Sequence, residues 1–308
     1  MIMPSYTFVT TASAFALRGA VPVFVDVDPR TLNIDETLIE AAITPRTRAV
    51  VVVHYAGVAC EMDTIVAIAA KHGLMLIEDA AQAIMSSYKG RPLGSLGDLS
   101  TFSFHVTKNL TCGEGGALLV GNPDLVDRSY ILQEKGTNRH AFFEGRVNKY
   151  EWVDLGSSYL LGEIPAAFLE AQLESASELT ESRLEAWSTY QEVLRPLEDR
   201  GWITLTDIPS YAKHNGHMAY FLLSDEFDRS TLLRELRSQY IEAVFHYIPL
   251  HQSPAGKRLG RIGSTMDVTD RCSSQIVRLP IWSGMASSVI EYVGKTLEKS
   301  IAGMSAGG

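Results

Sequence analysis

Cysteine is scarce in this sequence. The 308 residues hold Cys60, Cys112 and Cys272, which are odd in number, far apart and part of no paired motif. This spacing favours neither a disulfide framework nor a zinc site, and it is typical of a protein kept in a reducing compartment.

Long apolar runs and a secretion signal are also missing. The apolar run Val50–Val53 is closed by His54, far short of the length that crosses a bilayer. The start of the chain, Met1–Ser5, lacks the charged and apolar regions of a signal peptide. With the cysteine pattern, these absences predict a cytoplasmic protein with no membrane partner.

An excess of positive charge is absent as well. The sequence has 27 Lys and Arg against 36 Asp and Glu, which gives a formal net charge of −9. Nucleic acid is therefore not expected as a partner, and an anionic substrate would need local positive charge. The length, with 46% hydrophobic and 20% charged residues, suits a globular protein of two domains.

What is present is a regular alternation of strands and helices in the first half. The predicted order is a strand at Val21–Val27, a helix at Asp35–Ile43, a strand at Ala49–Val53, a helix at Met62–His72 and a strand at Leu74–Ile77. Asp35 is expected to cap the first helix, and Gly73 is expected to end the second. This order predicts an α/β fold with a largely parallel sheet that binds ligands beyond the carboxyl ends of its strands.

The second half has a different pattern. A long helix is predicted over Glu163–Glu198, followed by a strand at Ala219–Leu223, a helix at Arg229–Tyr240, an apolar run at Ala243–Tyr247 and a helix at Ser287–Ser300. These elements predict a smaller α+β domain. We expect a large domain over residues 1–165, and a linking helix with the small domain over residues 166–308.

A lone lysine stands between an apolar alternation and a glycine-rich turn. The alternation Thr101–Phe104 predicts a strand, Lys108 follows it, and Gly113–Gly116 forms the turn. A lysine stripped of water has a lowered pKa, and its neutral amine can attack a carbonyl carbon. A solvated loop lysine is the more common occupant of such a turn. These residues alone leave both interpretations open.

Several motifs together carry a family resemblance. They are Pro4–Phe8, Val25–Val27, Glu78–Gln82, Ser103–Lys108 and Gly113–Gly116, joined by the longer segments Asn33–Thr44, His54–Thr64, Glu134–Arg139 and Val244–His251. In this order they resemble the signatures of DegT/StrS-type sugar-nucleotide aminotransferases over nearly the whole chain. The resemblance implies the fold of type I pyridoxal-phosphate enzymes, with a mostly parallel seven-stranded sheet and a smaller C-terminal domain.

The resemblance also implies roles for particular residues. Lys108 would attach pyridoxal 5'-phosphate and move a proton as general acid and base. Asp79 would keep the ring nitrogen of the cofactor protonated. Gln82 would bind the phenolic oxygen, Ser103 the phosphate, and Phe8 would stack on the ring. For an isolated Phe8, packing in the core is the more common role.

Further residues are implied with alternatives left open. Ser158 stands where relatives often carry a phosphate-binding asparagine of the partner subunit. The expected substrate-binding residues are His246, Tyr247, His251, Arg139 and Lys149. In the family, the region of residues 133–150 closes over the active site and can reach the neighbouring subunit, so the resemblance implies a homodimer with a shared active site. A solvated loop and structurally satisfied histidines remain alternatives. A metal site of His54, His105, His246 and His251 has no supporting spacing.

The implied reaction moves an amino group from glutamate to the 4-keto carbon of dTDP-4-keto-6-deoxy-D-glucose. The product would be dTDP-4-amino-4,6-dideoxygalactose, a precursor for enterobacterial common antigen. Amination at another carbon is an alternative, and so is an inactive or regulatory protein of the same fold. A sugar dehydratase is disfavoured, because dehydrating relatives replace the cofactor lysine with histidine, whereas this chain has Lys108.

The resemblance carries one departure. Relatives begin upstream of the Pro4–Phe8 motif, with a loop and helix N-terminus for the cofactor phosphate and a strand of the large sheet. We therefore expect about 70 to 80 residues of the family pattern to be missing before Met1. Cofactor binding by this chain is then expected to be weakened, and the strand near Ala117–Val120 is expected to be exposed at the sheet edge.

Overall fold

The structure is a computed structural model that describes residues 1–305, so the last three residues of the predicted small domain lie outside it. In chain order the strands are β1 (Ile2–Pro4), β2 (Val23–Val25), β3 (Ala49–Val53), β4 (Met75–Asp79), β5 (Ser87–Tyr88), β6 (Arg91–Pro92), β7 (Leu99–Ser103), β8 (Gly116–Val120), β9 (Ile203–Leu205), β10 (Ala212–Lys213), β11 (Ala219–Leu223), β12 (Arg261–Ile262) and β13 (Ile276–Leu279). The helices are α1 (Val9–Ala16), α2 (Met62–His72), α3 (Val126–Gln133), α4 (Arg139–Phe143), α5 (Glu163–Glu174), α6 (Ala176–Asp199), α7 (Arg229–Ser238), α8 (Pro254–Leu259), α9 (Asp267–Gln275) and α10 (Ser287–Ser305).

A seven-stranded sheet organises the first half of the chain. Its order is β12-β2-β1-β3-β4-β7-β8, with every pair parallel except β7 and β8. All residues of the central strand β3 are buried, as expected for a parallel strand covered on both faces. The predicted α/β fold is confirmed. Within residues 1–305, β8 is one edge of this sheet, and Leu118 on it is 53% exposed, as the sequence predicts.

Several predicted elements match the structure, and one predicted helix is wrong. The bounds of β3, α2 and β11 agree with prediction, and Gly73 ends α2 with a φ of 60°. The helix expected over Asp35–Ile43 is instead two short 3-10 turns, Glu36–Leu38 and Glu40–Ala42. Ile39 and Ala42 both face the core, and their spacing of three residues suits 3-10 winding. Asp35 still acts as a cap, because its side chain accepts a hydrogen bond from the Thr37 amide at 2.9 Å.

The second half also corrects the prediction. The long helix expected over Glu163–Glu198 is divided at Ser175 into α5 and α6. The run Ala243–Tyr247 contributes only an isolated bridge between Val244 and Arg278, because the chain then leaves the sheet. The strand β1 and the helix α1 lay in a segment for which the sequence predicted neither element.

Two main cores support the molecule. One packs α6, α7 and α10 on the sheet of order β13-β11-β9, with Tyr190, Phe221 and Leu236 fully buried. The other encloses the large sheet. Strand β12, from the second half, pairs with β2 at the edge of that sheet. The boundary between residues 165 and 166 stays a prediction. None of the helices in residues 1–305 is both long and apolar enough to cross a membrane.

Candidate active site

A cavity of about 640 Å³ lies beyond the carboxyl ends of the central strands. Val53, Asp79 and Ser103, which end β3, β4 and β7, form its floor. Its other walls come from α1, from the loop after β7 and from the second half of the chain through His246 and Arg278. This is the position at which open α/β sheets bind ligands. The predicted site residues that line it are Lys108, Asp79, Gln82, Ser103, Phe8, His246 and Tyr247.

Lys108 stands on the loop between β7 and β8. The loop is held by hydrogen bonds from the Phe104 amide to the Gly115 carbonyl at 2.8 Å and from the Lys108 amide to the His105 carbonyl at 2.9 Å. Burial lowers the pKa of the Lys108 amine; the Asp79 carboxylate opposes this, and the charge of Arg278 lowers the pKa again. Among residues 1–305, no acidic side chain forms an ion pair with this amine. The environment of Lys108 therefore shifts its equilibrium towards the neutral amine, which is the nucleophilic form.

Asp79 is fixed at the end of β4 by neighbouring donors. The Thr11 hydroxyl donates to its Oδ2 at 2.6 Å, and the Ala81 amide donates to its Oδ1 at 3.2 Å. Thr11 is in turn hydrogen-bonded to the Thr7 hydroxyl at 2.9 Å. These contacts orient a carboxyl group that faces the same cavity as Lys108. Helix α1, which the sequence did not predict, supplies Thr11.

Gln82 connects the sheet to the second half of the chain. Its Nε2 donates to the Tyr247 hydroxyl at 2.9 Å, and its Oε1 accepts from the Ala56 amide at 2.7 Å. The amide keeps one more hydrogen on Nε2, since a primary amide carries two. In this chain Gln82 therefore already spans two elements of the cavity wall.

The rings of His246 and Tyr247 stack on each other with centroids 3.6 Å apart. Burial and the charges of Arg278 and Lys108 lower the pKa of His246 to about 2, so the ring is neutral. The Tyr55 hydroxyl forms a hydrogen bond with its Nδ1 at 2.6 Å, which fixes the orientation of the ring.

Phe8 and Ser103 line the cavity with little support from other side chains. The ring of Phe8 is 54% exposed and lies 6.1 Å from that of Tyr247. An aromatic ring exposed inside a cavity can stack on a planar ligand. The Ser103 hydroxyl accepts only a long bond of 3.4 Å from the His105 amide, so its hydrogen stays available.

Four predicted site residues do not line this cavity. His251 is buried, and its ring is held by Ser5 at 2.8 Å and Asp270 at 3.1 Å. The other three lie outside the cavity in the region 134–162. Ser158 is exposed and forms an isolated bridge with Glu134; Arg139 pairs with Glu134 at 2.8 Å; Lys149 is exposed. Their roles stay predictions.

Thr11, His217 and Arg278 are among the residues of the cavity wall that sequence reasoning missed. The buried His217 ring donates from Nδ1 to the Asn109 side chain at 2.8 Å, and burial keeps its pKa well below the usual value. Arg278 interrupts the apolar strand β13, and an arginine between Val277 and Leu279 was the available signal. No group of three His, Cys, Asp or Glu side chains within residues 1–305 is arranged to hold a metal ion.

Comparison with known proteins places this geometry in a family. A sequence model of the DegT/DnrJ/EryC1/StrS aminotransferase family matches residues 1–298. The uncharacterized protein MJ1066 of Methanocaldococcus jannaschii is 36% identical, over 98% of this chain and 79% of its own length. Spore coat polysaccharide biosynthesis protein SpsC of Bacillus subtilis is 34% identical, over 98% of this chain and 79% of its own. GDP-perosamine synthase of Caulobacter vibrioides is 33% identical, over 97% and 78%.

Solved structures of aminotransferases are also similar to this chain. The aminotransferase TlmJ from Streptoalloteichus hindustanus superimposes with a TM-score of 0.89 at 29% identity, over 99% of this chain and 79% of its own. DesI, solved in the presence of its TDP-sugar product, superimposes with a TM-score of 0.86 at 29% identity, over 99% and 76%. The cavity described above therefore lies in a fold shared with aminotransferases.

Proposed function

The chain belongs to the DegT/DnrJ/EryC1/StrS aminotransferase family, and we propose that the cavity around Lys108 transfers an amino group to a sugar nucleotide with pyridoxal 5'-phosphate. The observation that carries this proposal is a half-buried lysine with a lowered pKa that shares one cavity with Asp79. A lone loop lysine would be solvated, whereas this one is desolvated and faces a carboxylate held by two donors.

The residues of the cavity fit this cofactor. Lys108 would attach it, Asp79 would hold the proton on its ring nitrogen, and Phe8 would cover its ring. Ser103 would donate to the phosphate, and the second hydrogen of Gln82 Nε2 would reach its phenolic oxygen. When bound, pyridoxal phosphate supplies an electron sink for the carbon that loses a proton.

The proton itself is moved by the chain. Lys108 Nζ would take the proton from the α-carbon of the amino donor and return it to the carbon two bonds away, on the other side of the donor nitrogen. Asp79, held by the hydroxyl of Thr11, which is itself hydrogen-bonded to Thr7, would place its carboxylate beside the ring nitrogen. His246, Tyr247 and Gln82 close the cavity on the side of the second core and limit the entry of water.

We extend the proposal to glutamate as amino donor and to the 4-keto carbon of dTDP-4-keto-6-deoxy-D-glucose as acceptor. The motifs in Asn33–Thr44, His54–Thr64 and Val244–His251 support this choice, and DesI, solved in the presence of its TDP-sugar product, is a structural neighbour. The reaction would take place in the cytoplasm. Its product would be a precursor of a surface polysaccharide such as enterobacterial common antigen. Because the chain is similar to GDP-perosamine synthase, a GDP-linked sugar is the alternative acceptor to compare in the test.

A homodimer with a shared active site is part of the same proposal. Its support is the exposure of large apolar side chains beside the predicted substrate residues, among them Trp152 at 76% and Tyr159 at 64%. Exposed apolar patches of this kind mark surfaces that bind another protein. Ser158, Arg139 and Lys149 would then face the cavity of the partner subunit, and His251 would support the sugar site through Ser5.

The test is amination with purified chain and added cofactor. The protein is mixed with glutamate and, in separate arms, dTDP-4-keto-6-deoxy-D-glucose, its 3-keto isomer or the GDP-linked 4-keto sugar. Mass spectrometry detects product, and NMR locates the new amine. We expect dTDP-4-amino-4,6-dideoxygalactose in the first arm and no product with Lys108→Ala. Product only in another arm contradicts the substrate. No product in any arm, with cofactor bound, contradicts the activity.

A further inference from the structure

His217 is a cavity residue to which the proposed cofactor roles give no task. It lies just before β11, and the guanidinium of Arg183 on α6 holds its backbone by donating to the Gly216 carbonyl at 3.1 Å and to the His217 carbonyl at 2.9 Å. Gly216 has a φ of 61°, and a Cβ at this position would lie only 2.9 Å from the backbone of Arg183. This close packing fixes the point from which the His217 ring enters the cavity wall.

Asn109 determines which ring nitrogen of His217 carries the hydrogen. The Asn109 Nδ2 donates to the Asn215 carbonyl at 3.0 Å, so its Oδ1 is the atom that meets His217 Nδ1 at 2.8 Å. Because an amide oxygen only accepts, Nδ1 donates, and Nε2 of the neutral ring then carries a lone pair. Asn215 is held in turn, since its Nδ2 donates to two carbonyls of the loop after β4 at 2.8 Å each.

The ring of His217 stays neutral in this environment. Burial, followed by the charges of Lys108, Arg183 and Arg278, holds the pKa of His217 well below its usual value. A neutral imidazole with its hydrogen on Nδ1 does not attract an anion by charge, and its other nitrogen has no hydrogen to donate. Nε2 of His217 is therefore a hydrogen-bond acceptor only.

This acceptor is unused within residues 1–305. Nε2 of His217 forms no hydrogen bond there, and it is not among the polar atoms sealed from solvent in that part of the chain. His54 and His251 differ, because both ring nitrogens of each have partners. Since His217 lines the cavity, its unused acceptor faces the space in which a substrate would lie.

We propose that Nε2 of His217 accepts a hydrogen bond from a hydroxyl of the sugar and thereby selects sugars that carry this hydroxyl. This inference rests on the proposed function, because it names a group of the substrate that enters the same cavity. A site that pairs with a substrate hydroxyl strongly rejects an analogue without it, because the site is then left with an unpaired polar atom.

Among the ligands of the proposed reaction, the sugar fits a hydrogen-bond acceptor best. The phosphate and the phenolic oxygen of pyridoxal phosphate accept hydrogen bonds, and its ring N–H would face Asp79. The carboxylates of glutamate also accept, and its amine is the group that reacts. The C2 and C3 hydroxyls of a 4-keto-6-deoxy sugar can each donate. The charge of Lys108 acts on His217, so the ring lies near the reacting amine.

The test combines variants of His217 with sugars that lack one hydroxyl. His217→Asn keeps a side-chain donor for Asn109 and removes the Nε2 acceptor, whereas His217→Gln offers an amide oxygen closer to the position of Nε2. Calorimetry measures binding of the 4-keto-6-deoxy sugar, linked to dTDP or to GDP, and of its 2-deoxy and 3-deoxy analogues, with pyridoxal phosphate present and no amino donor. The control is His214→Asn, a buried histidine that packs on Trp187 outside the cavity. Circular dichroism checks that each variant folds.

We expect His217→Asn to weaken binding of the complete sugar by about fivefold to a hundredfold. The same variant should change binding of one deoxy analogue by less than about twofold, because that analogue has no hydroxyl to pair with Nε2. His217→Gln should recover part of the loss for the complete sugar. His214→Asn should leave every ligand within about twofold.

The outcomes separate this inference from the proposed function. An equal loss for all three sugars would mean that His217 only supports the cavity wall, and unchanged binding in His217→Asn would mean that Nε2 meets water; either result overturns the inference. So does a wild type that binds none of these sugars. If the wild type forms an amino sugar but binds it without dependence on His217, the proposed function stands without this contact. If binding depends on His217 and on one hydroxyl but glutamate yields no amino sugar, the proposed function fails and the hydroxyl site stands.

Discussion

The cavity around Lys108 and the segment 134–162 were both predicted to hold site residues, yet they are built differently. In the cavity, side chains stand at strand ends and are held by buried hydrogen bonds, such as that of Thr11 to Asp79 at 2.6 Å. In the segment 134–162, large apolar side chains such as Trp152 are exposed, and the charged groups pair with each other at the surface. The sheet fixes the positions of reactive side chains within one chain. The segment 134–162, in contrast, exposes its large side chains and has no core of its own.

The difference teaches where each kind of residue gains its function. Groups that perform chemistry need fixed geometry and a controlled pKa, which burial at the sheet supplies. Groups that recognise a substrate or a second copy can remain exposed until that partner arrives. The following predictions are ordered from the largest expected effect to the smallest, and each compares the segment 134–162 with another part of the molecule.

Replacing the two lysines should separate the regions most strongly. Lys108→Ala removes the amine that attaches the cofactor and moves the proton, so activity should fall by about 10⁴-fold or more. Lys149→Ala should retain cofactor attachment and lose only affinity for the sugar nucleotide. Steady-state kinetics with both substrates measures the two effects. An active Lys108→Ala variant would refute the chemical role of the cavity.

Replacing Glu78 and replacing Glu134 should have different effects on the free energy of unfolding. Glu78 is fully buried and accepts from His54 at 2.9 Å and from the Leu96 and Gly97 amides at 2.7 Å each. Burial raises its pKa, but these donors prevail and lower it to about 2. Glu78→Gln should cost roughly 3 kcal/mol of unfolding free energy. Glu134→Gln, which breaks surface pairs, should cost less than about 1 kcal/mol.

Urea unfolding at several pH values checks the glutamate prediction. The folded pKa of Glu78 lies below its unfolded value, so its stabilisation is present above about pH 4.5 and is lost as the pH falls towards 2. The Glu78→Gln variant should therefore lose less stability than the wild type over that range. Equal losses in both proteins would contradict the assignment of a low pKa to Glu78.

The exposed aromatic residues of the segment should affect assembly and leave the cavity intact. Trp152→Ser and Tyr159→Ser together remove apolar area from the surface proposed to face a second copy. We expect the dimer dissociation constant to rise by about tenfold to a hundredfold. Analytical ultracentrifugation measures it, and Leu17→Ser, at an 83% exposed position outside the segment, is the control. A wild-type monomer at high concentration would argue against the shared site.

The smallest effects should appear in the pKa of Lys108. The Asp79 carboxylate raises this pKa and the Arg278 charge lowers it. Asp79→Asn should therefore lower it and Arg278→Met should raise it, whereas Arg139→Met in the segment should leave it unchanged. The rate at which an amine-reactive reagent labels Lys108, measured against pH and read by peptide mass spectrometry, gives each value. Shifts in the opposite directions would contradict the described geometry.

The periodic elements of the fold were predictable from the sequence because their signals are local. Strand β3 and helix α2 were predicted with their observed bounds, since β3 is a continuous apolar run and Gly73 ends α2. The prediction of a helix at Asp35–Ile43 was wrong, because the burial of Ile39 and Ala42 in the core depends on tertiary contacts that local sequence does not show. The broken helix at Ser175 has the same kind of origin.

Residues of the candidate site that lie within one sequence motif were predictable. Residues that reach the site from distant segments of the chain were harder to predict. Asp79, Gln82 and Lys108 follow strands that the sequence identifies, and the parallel sheet brings them together. Arg278 reaches the same cavity from another sheet, so no local spacing linked it to Lys108. His251 shows the converse case, since its motif suggested substrate, whereas its ring is held by Ser5.

The most direct test of the central claim is covalent attachment of the cofactor to one lysine. The purified chain is incubated with pyridoxal 5'-phosphate, reduced with borohydride, digested and analysed by mass spectrometry, beside the Lys108→Met variant. Because the amine of Lys108 lies in the cavity and desolvation lowers its pKa, we expect a single modified peptide that contains Lys108 and that is absent in the variant. Modification spread over surface lysines, with Lys108 unmodified at saturating cofactor, would contradict the claim.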